Sequence, residues 1–452
     1  MVLCGSKTLQ GLILFTALVA MFPTCLAAQT PTSTAILPTQ DASYGTGAQT
    51  PLLFEGEPAL ENAISLTVGA AAFYDDNVFS SNSHRVSDEA VSFNSHLAIG
   101  KQTSHLRFTF DYLPFFLLYR QTDQYDRLNH TANLGLAYRL SSHFILGLHD
   151  TFGYQDGVLP ALNGQQILAG SPPPTGLNQG VYAYTTRTLT NVAGLDLTFV
   201  ESRHNSLTFS ADTNQLRFGS QNGAVESLYN GEGASAGLQY QYRKSEHTTF
   251  GLLILHQDNT YEGGTEFGSR LRTQIETGYF SFGSRLTPTV SVTVFGGPQY
   301  VHILGASTAE NKLAGSFQGS GGGSITKEAH STAFDVLFQR SVTDSGGLFT
   351  SVINTNGGLG VRRRLYGQWE GNVRVGLSRA DASLFQASNG LTDTITGGFE
   401  ISRPIREGST FHISYDTAHQ VSKGASPIFA NFDRNQVTVG VDFRLKAISL
   451  GQ

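Results

Sequence analysis

From Ile64 almost to the C-terminus, apolar and polar residues alternate with period two, and no other feature constrains the fold as strongly. Successive side chains of an extended chain point to opposite faces, so each such segment forms a strand with one apolar and one polar face. Leu106, Phe108, Phe110 and Tyr112 lie on one side of their segment, with Arg107, Thr109 and Asp111 on the other. The split recurs for Leu207, Phe209 and Ala211 against Thr208, Ser210 and Asp212, and for Phe334, Val336 and Phe338 against Asp335, Leu337 and Gln339. Val373, Val375 and Leu377 oppose Asn372, Arg374 and Gly376. Phe411, Ile413 and Tyr415 oppose His412, Ser414 and Asp416, and Val437 to Leu445 repeats the pattern against Thr438, Gly440, Asp442 and Arg444.

Short polar turns, such as residues 139–143, 201–205, 243–247, 327–331 and 403–408, recur roughly every two strands. Longer connections fall near 75–88, 120–127, 156–180, 219–228, 257–268, 303–311, 343–350, 381–391 and 419–433. Short turns on one rim and long loops on the other are the sequence signature of an outer-membrane barrel. A soluble sandwich would also alternate. Segments of about 10 to 15 residues exceed the roughly six of sandwich strands. Tyr112, Tyr119, Tyr138, Tyr240, Tyr242 and Phe443 near segment ends suit interfacial girdles. Charged residues are only 14%, against roughly 25% in soluble proteins, yet hydrophobic residues reach only 40%. After the N-terminus no run approaches the roughly 20 apolar residues of a membrane helix. Strands that meet lipid must close, because unpaired edge groups in hydrocarbon cost several kcal/mol each. The expected fold is all-β: a single antiparallel transmembrane up-and-down β-barrel of about 18 strands (16 to 18), spanning residues 63–446 with a short tail at 447–452.

The N-terminus reads as an export signal over residues 1–27: Lys7, then the apolar run Leu9 to Phe22, then Pro23 before Cys25-Leu26-Ala27, with cleavage expected near Ala27. Both cysteines, Cys4 and Cys25, lie within it, so the mature chain is expected to carry no disulfide, thiolate metal site or Cys nucleophile. Residues 28–62, rich in Pro, Thr, Gln and Ala, read as a flexible periplasmic tether. A net charge of −6 is too small to imply a nucleic-acid partner.

Tyr74-Asp75-Asp76-Asn77-Val78-Phe79, with Phe73 before it, resembles the opening motif of bacterial outer-membrane proteins described as β-barrel porin 2. The terminal Gly440 to Leu445 is similar to the last-strand signal read by the barrel-assembly machinery, although here the chain runs on to Gln452. The resemblance implies an outer-membrane barrel assembled by that machinery, surrounded by lipid and lipopolysaccharide, and, as for many relatives, an association with exopolysaccharide loci. It supplies no catalytic residues. Asp75, Asp76 and Asn77 offer oxygens to a Ca²⁺ ion, but Asx residues at a strand end more simply make a turn.

No cofactor, metal site or catalytic group is expected. His412 and Ser414 mimic the His-x-Ser of outer-membrane phospholipases, but they lie on the polar side of their strand. His149 and Asp150 point to opposite faces. Gly319 to Gly323 reads as a bend or a close approach. The remaining candidate is the lumen, with Arg107, Asp111, Asp212, Asp335, Glu370, Arg374, Glu400, Asp416 and Arg444 pointing inward. Their mixed signs predict weak charge selectivity. The connection near 155–180 is a candidate inward-folded constriction. Two readings stand: a passive channel for small solutes or a polysaccharide-linked export barrel, and a structural or adhesive barrel with an occluded lumen. Oligomeric state is not legible.

Overall fold

A computed structural model describes residues 62–123, 126–157, 186–219, 230–262, 271–304, 315–343, 352–381, 390–423 and 431–451. The expected signal segment, nearly all of the tether and most of the 155–180 connection lie outside these residues. The alternating segments form β1 (Ala63–Asp75), β2 (Asp88–Gln102), β3 (Leu106–Tyr119), β4 (Arg127–Arg139), β5 (Phe144–Gly157), β6 (Thr186–Val200), β7 (Asn205–Gly219), β8 (Asn230–Ser245) and β9 (Thr248–Glu262). They continue as β10 (Leu271–Thr287), β11 (Val290–Leu304), β12 (Ser316–Ala329), β13 (Thr332–Thr343), β14 (Val352–Arg364), β15 (Glu370–Asp381), β16 (Leu391–Arg406), β17 (Ser409–Lys423) and β18 (Phe432–Arg444), followed by the two-residue β19 (Ile448–Ser449).

Each strand pairs antiparallel with its chain neighbours, and β1 pairs with β18 from Thr67↔Arg444 to Asp75↔Gln436. The sheet is therefore closed, an 18-stranded barrel without a free edge, as a wall of strands in hydrocarbon requires. β19 lengthens the closing seam by pairing with Ala63 and Ile64, and Leu445 N–H donates to Leu66 at 2.8 Å. The residues after Leu445 thus continue the wall beside β1, and Lys101 Nζ donates to the Gly451 carbonyl at 2.8 Å.

Connections after even-numbered strands through β16 span two to five residues, and those after odd-numbered strands seven to 28. The short-turn rim repeats one device. A Ser or Thr hydroxyl accepts the backbone N–H two residues on: Thr103 from His105, Ser141 from His143, Ser202 from His204 and Ser245 from His247. The turn histidine's carbonyl then accepts an N–H from the next turn along, as in Arg139 to His105 and Arg243 to His204, both 2.7 Å. Rigid turns linked side by side fix the strand registers on this rim.

The outer face is apolar and exposed, with Ile254 at 68%, Leu252 at 56% and Phe338 at 53% relative exposure. In a soluble fold this would be a large liability; against acyl chains it is the favourable surface. Strands of 12 to 17 residues exceed the roughly 9–11 needed to cross a bilayer when tilted. Their long-connection ends carry outward-facing ion pairs, including Arg379–Asp393 at 2.6 Å and Arg272–Asp258, with Nε donating at 2.7 Å.

Candidate channel lumen

Paired residues share a face, so the inner wall can be followed from strand to strand. One row runs Asp335↔Gly360↔Arg374↔Gly398↔Asp416↔Gln436↔Asp75 across β13 to β18 and onto β1. Extended round the barrel, the same face holds Arg107 and Asp111 on β3, Asp212 on β7, Glu370 on β15, Glu400 on β16 and Arg444 on β18. It is concave, because side chains on strands two apart touch across it.

Inner-face glycines allow that reach. His149 on β5 passes over Gly194 of β6 to Asp212 on β7, with Nε2 2.9 Å from Asp212 Oδ1 and Nδ1 3.5 Å from Asp196 Oδ2. A Cβ on Gly194 would collide with both the imidazole and the Asp212 carboxylate. Ser235 Oγ donates to Asp212 Oδ2 at 3.1 Å. Arg374 passes over Gly398 in the same way and donates to Asp416 Oδ1 at 3.0 Å. His96 Nε2 lies 2.7 Å from Asp111 Oδ1, and His412 Nδ1 lies 3.2 Å from Asp442 Oδ2. Asp150, next to His149, faces outward and accepts a 2.7 Å hydrogen bond from Asn191 Nδ2. Ser414, two residues from His412, donates to Asp416 at 3.3 Å.

Near the long-connection end the interior changes character. Arg434 and Asp75 form an ion pair at 2% and 0% side-chain exposure, with Nε donating at 3.2 and 3.1 Å to the two carboxylate oxygens. Gln436 Nε2 donates to Asp75 Oδ2 at 2.9 Å, and Asn77 N–H donates to Asp75 Oδ1 at 3.0 Å. The Tyr74 to Phe79 motif thereby locks the seam. Asp76 accepts the N–H and side-chain amide of Asn435, both at 2.7 Å, and pairs with Arg85. Asn77 donates to the Asp433 carbonyl at 2.8 Å, and Val78 is fully buried against Phe115, Leu117, Tyr119 and Ala90. Tyr74 faces outward beside Val437, and Phe79 packs against the same buried cluster. These acidic oxygens are engaged by protein donors. Among the described residues no group of three or more His, Cys, Asp or Glu is placed to hold a metal ion.

Tyr119 departs from the expected girdle: it lies on the inner face, opposite Ala90, and is only 5% exposed. Its segment loses the alternation above Pro114, since Phe115, Leu117 and Tyr119 are apolar on the inside while Phe116 and Leu118 are apolar on the outside. Tyr138, Tyr240, Tyr242 and Phe443 face outward near the short-turn rim, whereas Tyr112 faces outward at mid-strand, seventh of the 14 residues of β3. The connection expected at 419–433 is shorter than read, because β17 runs to Lys423 and β18 begins at Phe432. Arg434 thus emerges as a strand residue that sequence reasoning passed over. At the Gly319 to Gly323 run, Tyr279 of β10 reaches across Gly297 of β11 to hydrogen-bond Ser320 of β12. Cβ atoms on Gly321, Gly322 and Gly323 would meet neighbouring backbone oxygens within 2.5–2.7 Å, so the run serves close strand approach.

A closed wall with an apolar exterior and a polar, charge-paired interior defines a transmembrane β-barrel. No protein-family model matches the sequence, and no curated protein is significantly similar to it. Solved barrels share the general shape. Pseudomonas aeruginosa OccK2 (OpdF) aligns at 12% identity and a TM-score of 0.44, covering 84% of this chain and 98% of that one. Acinetobacter baumannii OccAB4 aligns at 10% and 0.44, covering 87% and 100%. The FrpB iron transporter of Neisseria meningitidis aligns at 8% and 0.42, covering 85% and 83%. At such values the fold rests on this chain's own strand pairing.

Proposed function

We propose that this chain is an outer-membrane channel through which small polar solutes diffuse passively. The observation that carries the reading is the sorting of side chains: below the long-connection end the inner wall is polar and charged on strand after strand, while the outer wall is apolar. A barrel of this strand number is wide enough for an aqueous passage. The residues named above act as lumen wall, with His149, Ser414 and the carboxylates holding one another in place. Polysaccharide-linked export rests on the Tyr74 to Phe79 resemblance alone, and that motif is occupied in closing the seam.

One observation favours the occluded alternative. The inner face near the long connections carries buried apolar residues, including Phe115, Leu117, Ile275, Val301 and Phe432, which narrow the passage there. Conductance of the refolded protein in planar bilayers decides between the two. Steady open steps are expected, and silence from protein whose gel mobility shifts on heating, as a folded barrel's does, would establish the closed barrel.

A further inference from the structure

The balance of charge on the inner wall changes with height. Seven inward arginines, Arg107, Arg139, Arg243, Arg285, Arg362, Arg364 and Arg444, stand within three residues of the short-turn ends of their strands, with the carboxylates of Glu328 and Glu370 among them. Deeper in, carboxylates dominate. Asp111 is the sixth residue of β3, Asp212 the eighth of β7, Asp335 the fourth of β13 and Asp416 the eighth of β17. Asp196 and Glu400 stand at comparable depth on β6 and β16, while Asp442, third from the end of β18, lies at the level of the arginines. The cations at this depth, among the described residues, are Arg374 and the imidazoles of His96, His149 and His412. Even with every imidazole protonated, acidic groups outnumber basic ones here by two.

Two buried groups at this level, the waist, carry polar atoms without a hydrogen-bond partner in the protein. Asp196 is nine-tenths buried, and its Oδ1 accepts no hydrogen bond. His412 is 4% exposed, and neither ring nitrogen makes a hydrogen bond of proper geometry although Asp442 is within 3.2 Å. Glu400, between the Arg374–Asp416 and His412–Asp442 pairs, accepts no hydrogen bond from the described residues.

We propose that this waist selects cations: the channel admits small cationic solutes, ammonium-bearing ones included, in preference to anions. The inference rests on the channel reading above and deepens it. Carboxylates on a low-dielectric wall concentrate counter-ions and repel anions, and an excess of one sign on the wall sets selectivity. The arginine mouth does not reverse this, because Arg285, Arg364 and Arg444 are exposed at the rim, where salt in bulk water screens them.

The test is the reversal potential of the refolded mature protein in a planar bilayer under a tenfold KCl gradient. The expected result is a potential of the K⁺ sign, with permeability to K⁺ exceeding that to Cl⁻ by about threefold or more. In Glu400→Gln and in Asp335→Asn, neither of which breaks an ion pair, the ratio should fall toward unity while single-channel conductance persists. A potential at zero or of the Cl⁻ sign in wild type overturns the inference and leaves the channel intact. A wild-type ratio unchanged by both substitutions overturns the assignment to these residues. Silence of folded wild-type protein overturns the channel reading, and the inference with it.

Discussion

The two ends of the barrel interior are held by different physics. At the waist His149 reaches Asp212 over Gly194 and Arg374 reaches Asp416 over Gly398 on a concave wall, and the two cations keep 27% and 31% of their side chains exposed. At the long-connection end Asp75 and Arg434 are enclosed, with Val78, Leu117 and Tyr119 packed nearby. A charge pair at the waist can lose one member and have water take its place. In the enclosed pair the survivor would be stranded. The comparison teaches that one set of charges is free to serve solutes, whereas the other serves closure of the seam.

The largest expected effect is therefore at Arg434. Arg434→Met leaves Asp75 buried without its cation, and removing one partner of a buried pair costs about 3–5 kcal/mol. Urea unfolding in detergent, read by the heat-shifted gel mobility, should show that loss. The double variant Asp75→Leu/Arg434→Met should recover much of it, because a matched apolar pair leaves no stranded charge. If the single variant unfolds at the wild-type urea concentration, the two ends do not differ as argued.

How much of this was legible in the sequence follows the same division. The alternation of Phe108 and Phe110 with Thr109 and Asp111 fixes strand, face and lumen side together, because burial in lipid and exposure to water act on neighbouring residues with period two. At Phe115 to Tyr119 both faces are apolar, one against lipid and one against the seam packing, so the pattern carries no face information and Tyr119 is read on the wrong side. The Asp75–Arg434 pair spans 359 positions in the chain, and nothing local announces it, since Arg434 stands beside Asp433 and Asn435 as any loop residue would. The glycine at 194 likewise reads as a weak strand residue until the register shows what crosses it.

Gly194→Val gives the next largest effect. The new side chain would occupy the space through which His149 reaches Asp212, with even its Cβ inside contact distance of both. Overpacking of this kind costs about 1–3 kcal/mol, less than at Arg434 because displaced waist side chains can turn toward the lumen. The sharper readout is electrical: Gly194→Val frees Asp212 from its imidazole while narrowing the bore, so single-channel conductance falls while the K⁺ over Cl⁻ preference is retained or rises. A fall in both would mean that the His149 cluster is scaffold rather than conducting wall.

The smallest effect belongs to a pair that copies the geometry of the enclosed one in the opposite surroundings. Arg379 donates through Nε and a terminal nitrogen to the two oxygens of Asp393, at 2.6 and 3.1 Å, on the outward face toward the long connections. Its bidentate form resembles that of Arg434 on Asp75, so a view based on contact geometry alone predicts similar losses. Surroundings predict otherwise, because Arg379 is 59% exposed and both charges regain water when separated. Arg379→Ala should leave the urea midpoint and the reversal potential within error of wild type. A loss approaching that of Arg434→Met would show that bidentate geometry, and not enclosure, sets the strength of these pairs, and the distinction between the two ends of the interior would have to be redrawn on that basis.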